Sequence, residues 1–165
     1  MKQIKTALNI ILLAALAGCA APSPSKVTVE QPVGPDLAPP RVDPGKGRGQ
    51  LVVYTATEIN DQVDAYSPTH SSYSIYTMDE KLVKRVDNRS GSFYQNPEPV
   101  PLTPGKYKIK GRATNSGEVT VPVIVEEKKT TIVDLEGTHL PQHKPTGAGQ
   151  WIRLPNGQVI GMRVE

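Results

Sequence analysis

Two of the three histidines in the chain have a spacing that could hold a metal ion. His139 and His143 lie four residues apart, and on a helix this spacing places two imidazoles on one face, where they can bind zinc. Pro141 stands between them, the flanking residues are typical of a loop, and the glutamate that accompanies such a pair in zinc helices is absent. We therefore interpret both as solvated histidines and predict no metal site.

The other reactive side chains also lack partners in the sequence. His70 lies among hydroxyls in Ser67-Pro68-Thr69-His70-Ser71-Ser72, but a nucleophilic serine needs an orienting acid and an oxyanion site as well. Asp79 and Glu80 are adjacent carboxylates in a predicted hairpin turn, where Asp is favoured for backbone reasons. We predict no catalytic residue and no cofactor, and therefore not an enzyme.

Cys19 is the only cysteine, and it follows an apolar run over residues 7–17. The run is too short for a transmembrane helix, which needs about 20 residues, but it fits an export signal with a basic start. Leu16-Ala17-Gly18-Cys19 resembles the lipobox of bacterial lipoproteins. The resemblance implies that Leu16, Ala17 and Gly18 are read by the signal peptidase, and that Cys19 is lipidated. Acyl chains would then hold the protein to a membrane, and Ala20 favours the outer membrane, facing the periplasm.

Net charge and cysteine content argue against a nucleic-acid partner and against a disulfide within the chain. Removal of a signal with Lys2 and Lys5 leaves 17 basic against 16 acidic side chains, from 19 and 16 in the whole chain. We expect no nucleic-acid partner, because that would need a concentrated basic face. With one cysteine the chain has no internal disulfide, so the fold depends on its apolar core.

Composition divides the chain into four parts. Residues 1–18 are the predicted signal. Residues 19–49 are a predicted disordered tether, since seven prolines and four glycines fall in 20–49 without apolar periodicity. Residues 50–136 are a predicted all-β domain, a single small β-sandwich of about seven strands. Residues 137–165 are a predicted loop and C-terminal β-hairpin.

Alternating apolar residues and turn signals locate the strands of the sandwich. The predicted strands span 50–55, 73–78, 82–87, 106–114, 118–125 and 130–135. The segments 92–95 and 100–103 are weaker strand candidates, because Pro97, Pro99 and Pro101 restrict them to edges or bends. Pro122 predicts that its strand lies at an edge or contains a bulge. The apolar residues of 58–66 have helical spacing, and Thr55 with Glu58 resembles a capping box. This segment could therefore form either a short helix or an irregular excursion between the first two strands.

The segment Leu102-Thr103-Pro104-Gly105-Lys106-Tyr107 resembles the L-x-P-G-x-Y turn of carboxypeptidase-regulatory-like and PEGA-type β-sandwich domains. Pro104 and Gly105 fit a type II turn, with positive φ at the glycine. In those domains a Val-rich strand and a T-x-V-x-L strand follow, as 118–125 and 131–135 do here. The resemblance implies a prealbumin-like or Cna-B-like sandwich without catalytic residues.

Aromatic residues are the remaining candidates for ligand or partner contact. Tyr73 and Tyr76 should point to opposite faces of one strand. Trp151 should anchor the C-terminal hairpin, since a lone two-stranded hairpin is marginal in water, either on its own domain or on a partner. We predict a non-enzymatic structural or protein-interaction module of the cell envelope. The alternative is a carbohydrate- or peptidoglycan-binding lipoprotein.

Overall fold

The computed structural model describes residues 26–36, 43–58, 69–88, 97–140 and 150–163. Within them the fold is all-β, as predicted, and no helix is long and apolar enough to span a membrane. The predicted signal and lipobox, including Cys19, lie outside the described residues, as do His143, the predicted strand at 92–95 and most of the 58–66 segment. The strands are β1 (Lys26–Thr28), β2 (Val33–Gly34), β3 (Gly49–Tyr54), β4 (Thr57–Glu58), β5 (Thr69–His70), β6 (Tyr73–Thr77), β7 (Leu82–Val86), β8 (Val100–Leu102), β9 (Gly105–Ala113), β10 (Gly117–Val125), β11 (Thr130–Asp134), β12 (Trp151–Arg153) and β13 (Val159–Arg163).

The strands form a small β-sandwich. An eight-stranded sheet has the order β12-β13-β2-β10-β9-β6-β7, with β1 also paired to β10. A three-stranded sheet has the order β11-β3-β8, and β4 pairs with β5. Most neighbours are antiparallel, but β11 runs parallel to β3, and β1 and β2 run parallel to β10.

The core consists mainly of aliphatic side chains, together with Tyr73, from the inward faces of the two larger sheets. Strand β10 shows why: Val119, Val121, Val123 and Val125 alternate with outward residues and are at most 1% exposed. Burial of such apolar surface stabilises by about 25 cal/mol per Å². Leu51 and Val53 of β3 are fully buried from the opposite sheet.

Pro122 does not mark an edge. Strand β10 has β9 on one side and β1 and β2 on the other, and Pro122 falls between Thr120, which pairs with β1, and Val123, which pairs with β2. The parallel pairing is interrupted there, so a residue without an N–H is tolerated inside the sheet.

Two turn predictions also need correction. Gly105 is not among the residues with positive φ; it begins β9 and pairs with Val125. The preceding turn is closed instead by the Tyr107 hydroxyl, which donates to Thr103 O at 2.8 Å. The capping box is not formed either, because the Thr55 hydroxyl donates to Ser71 O and Glu58 lies in β4.

Part of the predicted tether belongs to the sheet. Residues 26–36 include β1 and β2, and Val33 is fully buried. Pro35 forms a further bridge to Thr131 in the other sheet. The prediction of a disordered tether is therefore wrong for residues 26–36. Their parallel pairing with β10 supplies contacts that the local composition does not reveal.

The C-terminal hairpin docks on its own domain. Strand β13 pairs with β2, and Gly157 adopts a φ of 88° in the predicted Asn-Gly turn. Ile152 and Ile160 are at most 3% exposed, whereas Trp151 is only half-buried. The anchor is therefore the aliphatic residues of the hairpin rather than Trp151.

Candidate functional site

The aromatic side chains predicted to contact a ligand do not form a common surface. Tyr73 is 2% exposed, and burial, with a smaller effect of Glu98, raises the pKa of its phenol above the usual range. Tyr76 lies on the opposite face, as expected, but Lys110 Nζ covers its ring at 4.5 Å from the centroid. Trp151 lies at the far end of the same sheet. Burial removes Tyr73 from the candidate contact residues.

The exposed large apolar side chains of the described residues lie together on the β6–β7 hairpin. Met78 is 47% exposed, Leu82 60% and Val83 43%. We call residues 78–85 the β7 edge, because in the described part of the chain β7 pairs only with β6. Residues 82–85 are all exposed, so this part of the hairpin has both faces uncovered.

Basic side chains of β7 and of the nearby strand β9 make the surface at the β7 edge cationic. Glu80 accepts hydrogen bonds from Lys108 and, at 2.8 Å, from Lys110. These bonds lower the pKa of Glu80 to about 2 and raise that of Lys110. One carboxylate thus faces two ammonium groups, while Lys84 and Arg85 extend into solvent.

A second cluster lies where the parallel strands β3 and β11 end. Tyr54 and Asp134 are register partners, and the segments that follow them run side by side, with Leu135 N and Glu136 N both donating to Tyr54 O. The β4–β5 pair places His70 opposite Thr57. Consequently His70, Glu136 and His139 each bring one potential ligand atom within 4.8 Å of the others.

Asp134 organises the loop that carries two members of this cluster. Its carboxylate is fully buried and accepts three backbone N–H groups: Gly137 at 2.6 Å, His139 at 2.9 Å and Leu140 at 2.8 Å. Hydrogen bonds to an ionised acceptor are stronger than neutral ones. The Asp134 side chain therefore holds three backbone positions of residues 136–140 from beneath.

The side chains of the cluster are held in defined orientations. His70 is 3% exposed, with Nδ1 at 2.8 Å from Thr55 O. Because a carbonyl only accepts, Nδ1 carries a hydrogen, and in the neutral tautomer Nε2 keeps its lone pair. His139 stacks on the Tyr54 ring at 3.5 Å between centroids, and its Nε2 lies 2.8 Å from Glu136 Oε2. Glu136 Oε2 also accepts from the Thr138 hydroxyl.

This cluster was missed by the sequence prediction, which assigned no metal-ligating residue. His139 is one of the two histidines considered, but its partners are His70 and Glu136, and it lies on a loop rather than a helix. His70 is 69 residues away in the chain. Only the pairing of β3 with β11 and of β4 with β5 brings them together, and no local sequence signal encodes those pairings.

An open polar groove of about 360 Å³ adjoins the cluster, and Glu136 lies on its wall. The groove is also lined by Asn115, Arg153, Asn156 and Gln158. Gln158 Nε2 donates to Asp134 O at 3.2 Å, so the C-terminal hairpin forms one side of the groove. Glu136 is therefore the member of the cluster that this polar groove reaches.

Comparison with known proteins supplies no relative. No protein-family model, curated protein or solved structure matches the chain.

Proposed function

We propose that this protein is a lipid-anchored lipoprotein of the bacterial cell envelope that acts as a non-enzymatic structural or protein-interaction module. The anchor is supported by Leu16-Ala17-Gly18-Cys19 after a short apolar run. Several acyl chains on Cys19 would give durable membrane attachment. The outer membrane, with the domain facing the periplasm, is the location that Ala20 favours.

The β7 edge is the surface that we assign to the partner. A sheet edge offers unpaired backbone N–H and C=O groups to an added strand. The three exposed large apolar residues of the described chain fall within this short segment, and such residues give an added strand its side-chain contacts. The other end of the sheet is less suitable, because β12 is three residues long and Ile152 is buried.

The charges of the β7 edge indicate what the partner looks like. Lys84 and Arg85 are exposed beside Leu82 and Val83, and basic residues on an edge discourage pairing with a second copy of the same edge. A strand with apolar and acidic side chains would complement both features. We therefore propose an envelope protein that adds an extended, acidic segment to β7.

Carbohydrate binding is the other hypothesis from the sequence, and the aromatic residues give it little support. Stacking on a sugar needs an open aromatic face, whereas Lys110 covers Tyr76 and Tyr73 is buried. Trp151 is half-buried and stands apart from both tyrosines.

The test is an in-cell crosslinking pull-down of the intact lipoprotein that identifies both proteins and glycans. The variant K84E/R85E reverses two exposed charges at the β7 edge, and K46E/K128E reverses two exposed lysines elsewhere as the matched control. We expect one protein to be captured by the parent chain and the control, and lost with K84E/R85E and with Cys19→Ala.

Equal capture of that protein by K84E/R85E would refute the role of the β7 edge. Capture of glycan without protein would replace the proposal with the carbohydrate hypothesis.

A further inference from the structure

We propose that His70, Glu136 and His139 form a binding site for Zn²⁺, with two imidazoles and one carboxylate as ligands. Each offers one ligand atom within 4.8 Å of the other two. Zinc bonds to these atoms are 2.0–2.2 Å long, so tetrahedral ligands lie about 3.3 Å apart. Small side-chain movements would therefore bring the three groups onto one ion. The proposal does not depend on the proposed partner of the β7 edge.

His70 already has the arrangement of a zinc ligand. Metal-binding histidines donate their other ring N–H to a backbone carbonyl or a carboxylate, which fixes tautomer and ring orientation. His70 Nδ1 makes this contact with Thr55 O at 2.8 Å, and the side chain is almost fully buried. Nε2 is left as the coordinating atom.

His139 and Glu136 supply the other two ligands from one short loop. Their 2.8 Å contact is a hydrogen bond in which the Nε2–H group of His139 donates to Glu136 Oε2. Zinc would take the place of that hydrogen, because the coordinating nitrogen must be unprotonated. The displaced proton passes to Nδ1 of a neutral ring, or to water if the ring is an imidazolium. The three bonds to Asp134 fix the loop, and stacking on Tyr54 fixes the plane of His139.

The ligand set determines the ion and leaves room for a further ligand. Two imidazoles favour zinc and other first-row transition metals over magnesium or calcium, which prefer oxygen. The side chains of His139 and Glu136 are 29% and 18% exposed, and the polar groove reaches Glu136. Water can therefore occupy the fourth position, as in zinc sites with three protein ligands.

The experiment uses the full chain in detergent after removal of metal with a chelator. Zn²⁺ is titrated by calorimetry in competition with a chromophoric chelator, and Co²⁺ is added as a spectroscopic probe. We expect one ion per chain, and visible Co²⁺ bands of a four- or five-coordinate site. Changes around a metal's ligands weaken binding about 10–100-fold, so loss of a ligand in Glu136→Gln or His139→Gln should weaken it by about 100-fold or more.

Two further variants make the test decisive. Glu126→Gln removes a carboxylate that pairs with Lys129 away from the cluster, and it should bind Zn²⁺ as the parent does. His143→Gln tests whether His139 and His143, which lie four residues apart in the sequence, bind zinc by themselves. Parent-like affinity in Glu136→Gln, or a loss in His143→Gln without one in Glu136→Gln, would overturn the proposal. Glu136 and His139 are partly exposed, so the test remains valid even if a His70 variant does not fold.

Discussion

Replacing Asp134 should disrupt the loop that carries Glu136 and His139. The side chain is fully buried, and its two oxygens accept three backbone N–H groups at 2.6–2.9 Å. Asp134→Ala removes all three acceptors at once. Asp134→Asn keeps the shape of the side chain but exchanges one oxygen for an amide nitrogen, so at least one N–H loses its acceptor.

The size of the effect follows from these bonds. A hydrogen bond to a charged group contributes about 1.5–3 kcal/mol. The three bonds do not add fully, because Gly137, His139 and Leu140 lie near the surface and their N–H groups can bind water once the carboxylate is gone. We therefore expect Asp134→Ala to lower the free energy of unfolding by about 3 kcal/mol, and Asp134→Asn by about 1–2 kcal/mol.

Urea denaturation gives the change in the free energy of unfolding, and hydrogen exchange reports the three amides separately. The exposed carboxylate of Asp79 provides the control, since Asp79→Asn should leave the free energy of unfolding close to that of the parent chain. The reasoning would be refuted if Asp134→Ala were within about 1 kcal/mol of the parent chain, or if the amides of 137, 139 and 140 kept their protection.

Three other substitutions or titrations test separate parts of the structure. Gly161→Ala should lower the free energy of unfolding by about 1–3 kcal/mol, because a Cβ there would clash with the Val33 side chain. In a double-mutant cycle Val33→Ala should relieve part of that loss, and strictly additive effects of the two substitutions would contradict the docking of β13 on β2. Glu80 should titrate by NMR with a pKa of about 2. Its contribution to stability is therefore complete above its ordinary pKa of 4.5 and is lost as the pH falls towards 2. An ordinary pKa would mean that its hydrogen bonds to Lys108 and Lys110 are not formed in solution. Tyr73→Phe should leave the free energy of unfolding unchanged or raise it by up to about 1 kcal/mol, because the buried hydroxyl has no hydrogen-bond partner among the described residues. A clear loss of stability would show that the hydroxyl is bonded.

The long strands could be predicted from the sequence because each carries its own pattern. In β9 and β10 outward and inward residues alternate over nine residues, and this period identifies a half-buried strand without knowledge of its neighbours. The Asn-Gly turn could likewise be predicted from its own residues, since Gly157 readily adopts the positive φ that the turn needs.

The short strands and the histidine cluster could not be predicted, because their stability comes from remote pairing. Strand β2 has two residues, too few to show a period, and it is held by β10 and β13. The cluster needs the parallel register of β3 with β11, in which Tyr54 meets Asp134. A sequence shows which residues could form strands, but it does not show which distant strands pair.

Site-specific photocrosslinking in living cells tests the central claim, recognition of an envelope protein by the β7 edge, most directly. A photoreactive amino acid replaces Val83, which is 43% exposed on β7, and in a control chain it replaces the exposed Glu127 in the turn between β10 and β11. We predict one discrete protein adduct from position 83 that is absent from position 127 and is lost when Cys19 is replaced by alanine. No adduct at position 83, or the same adducts at both positions, would contradict the account.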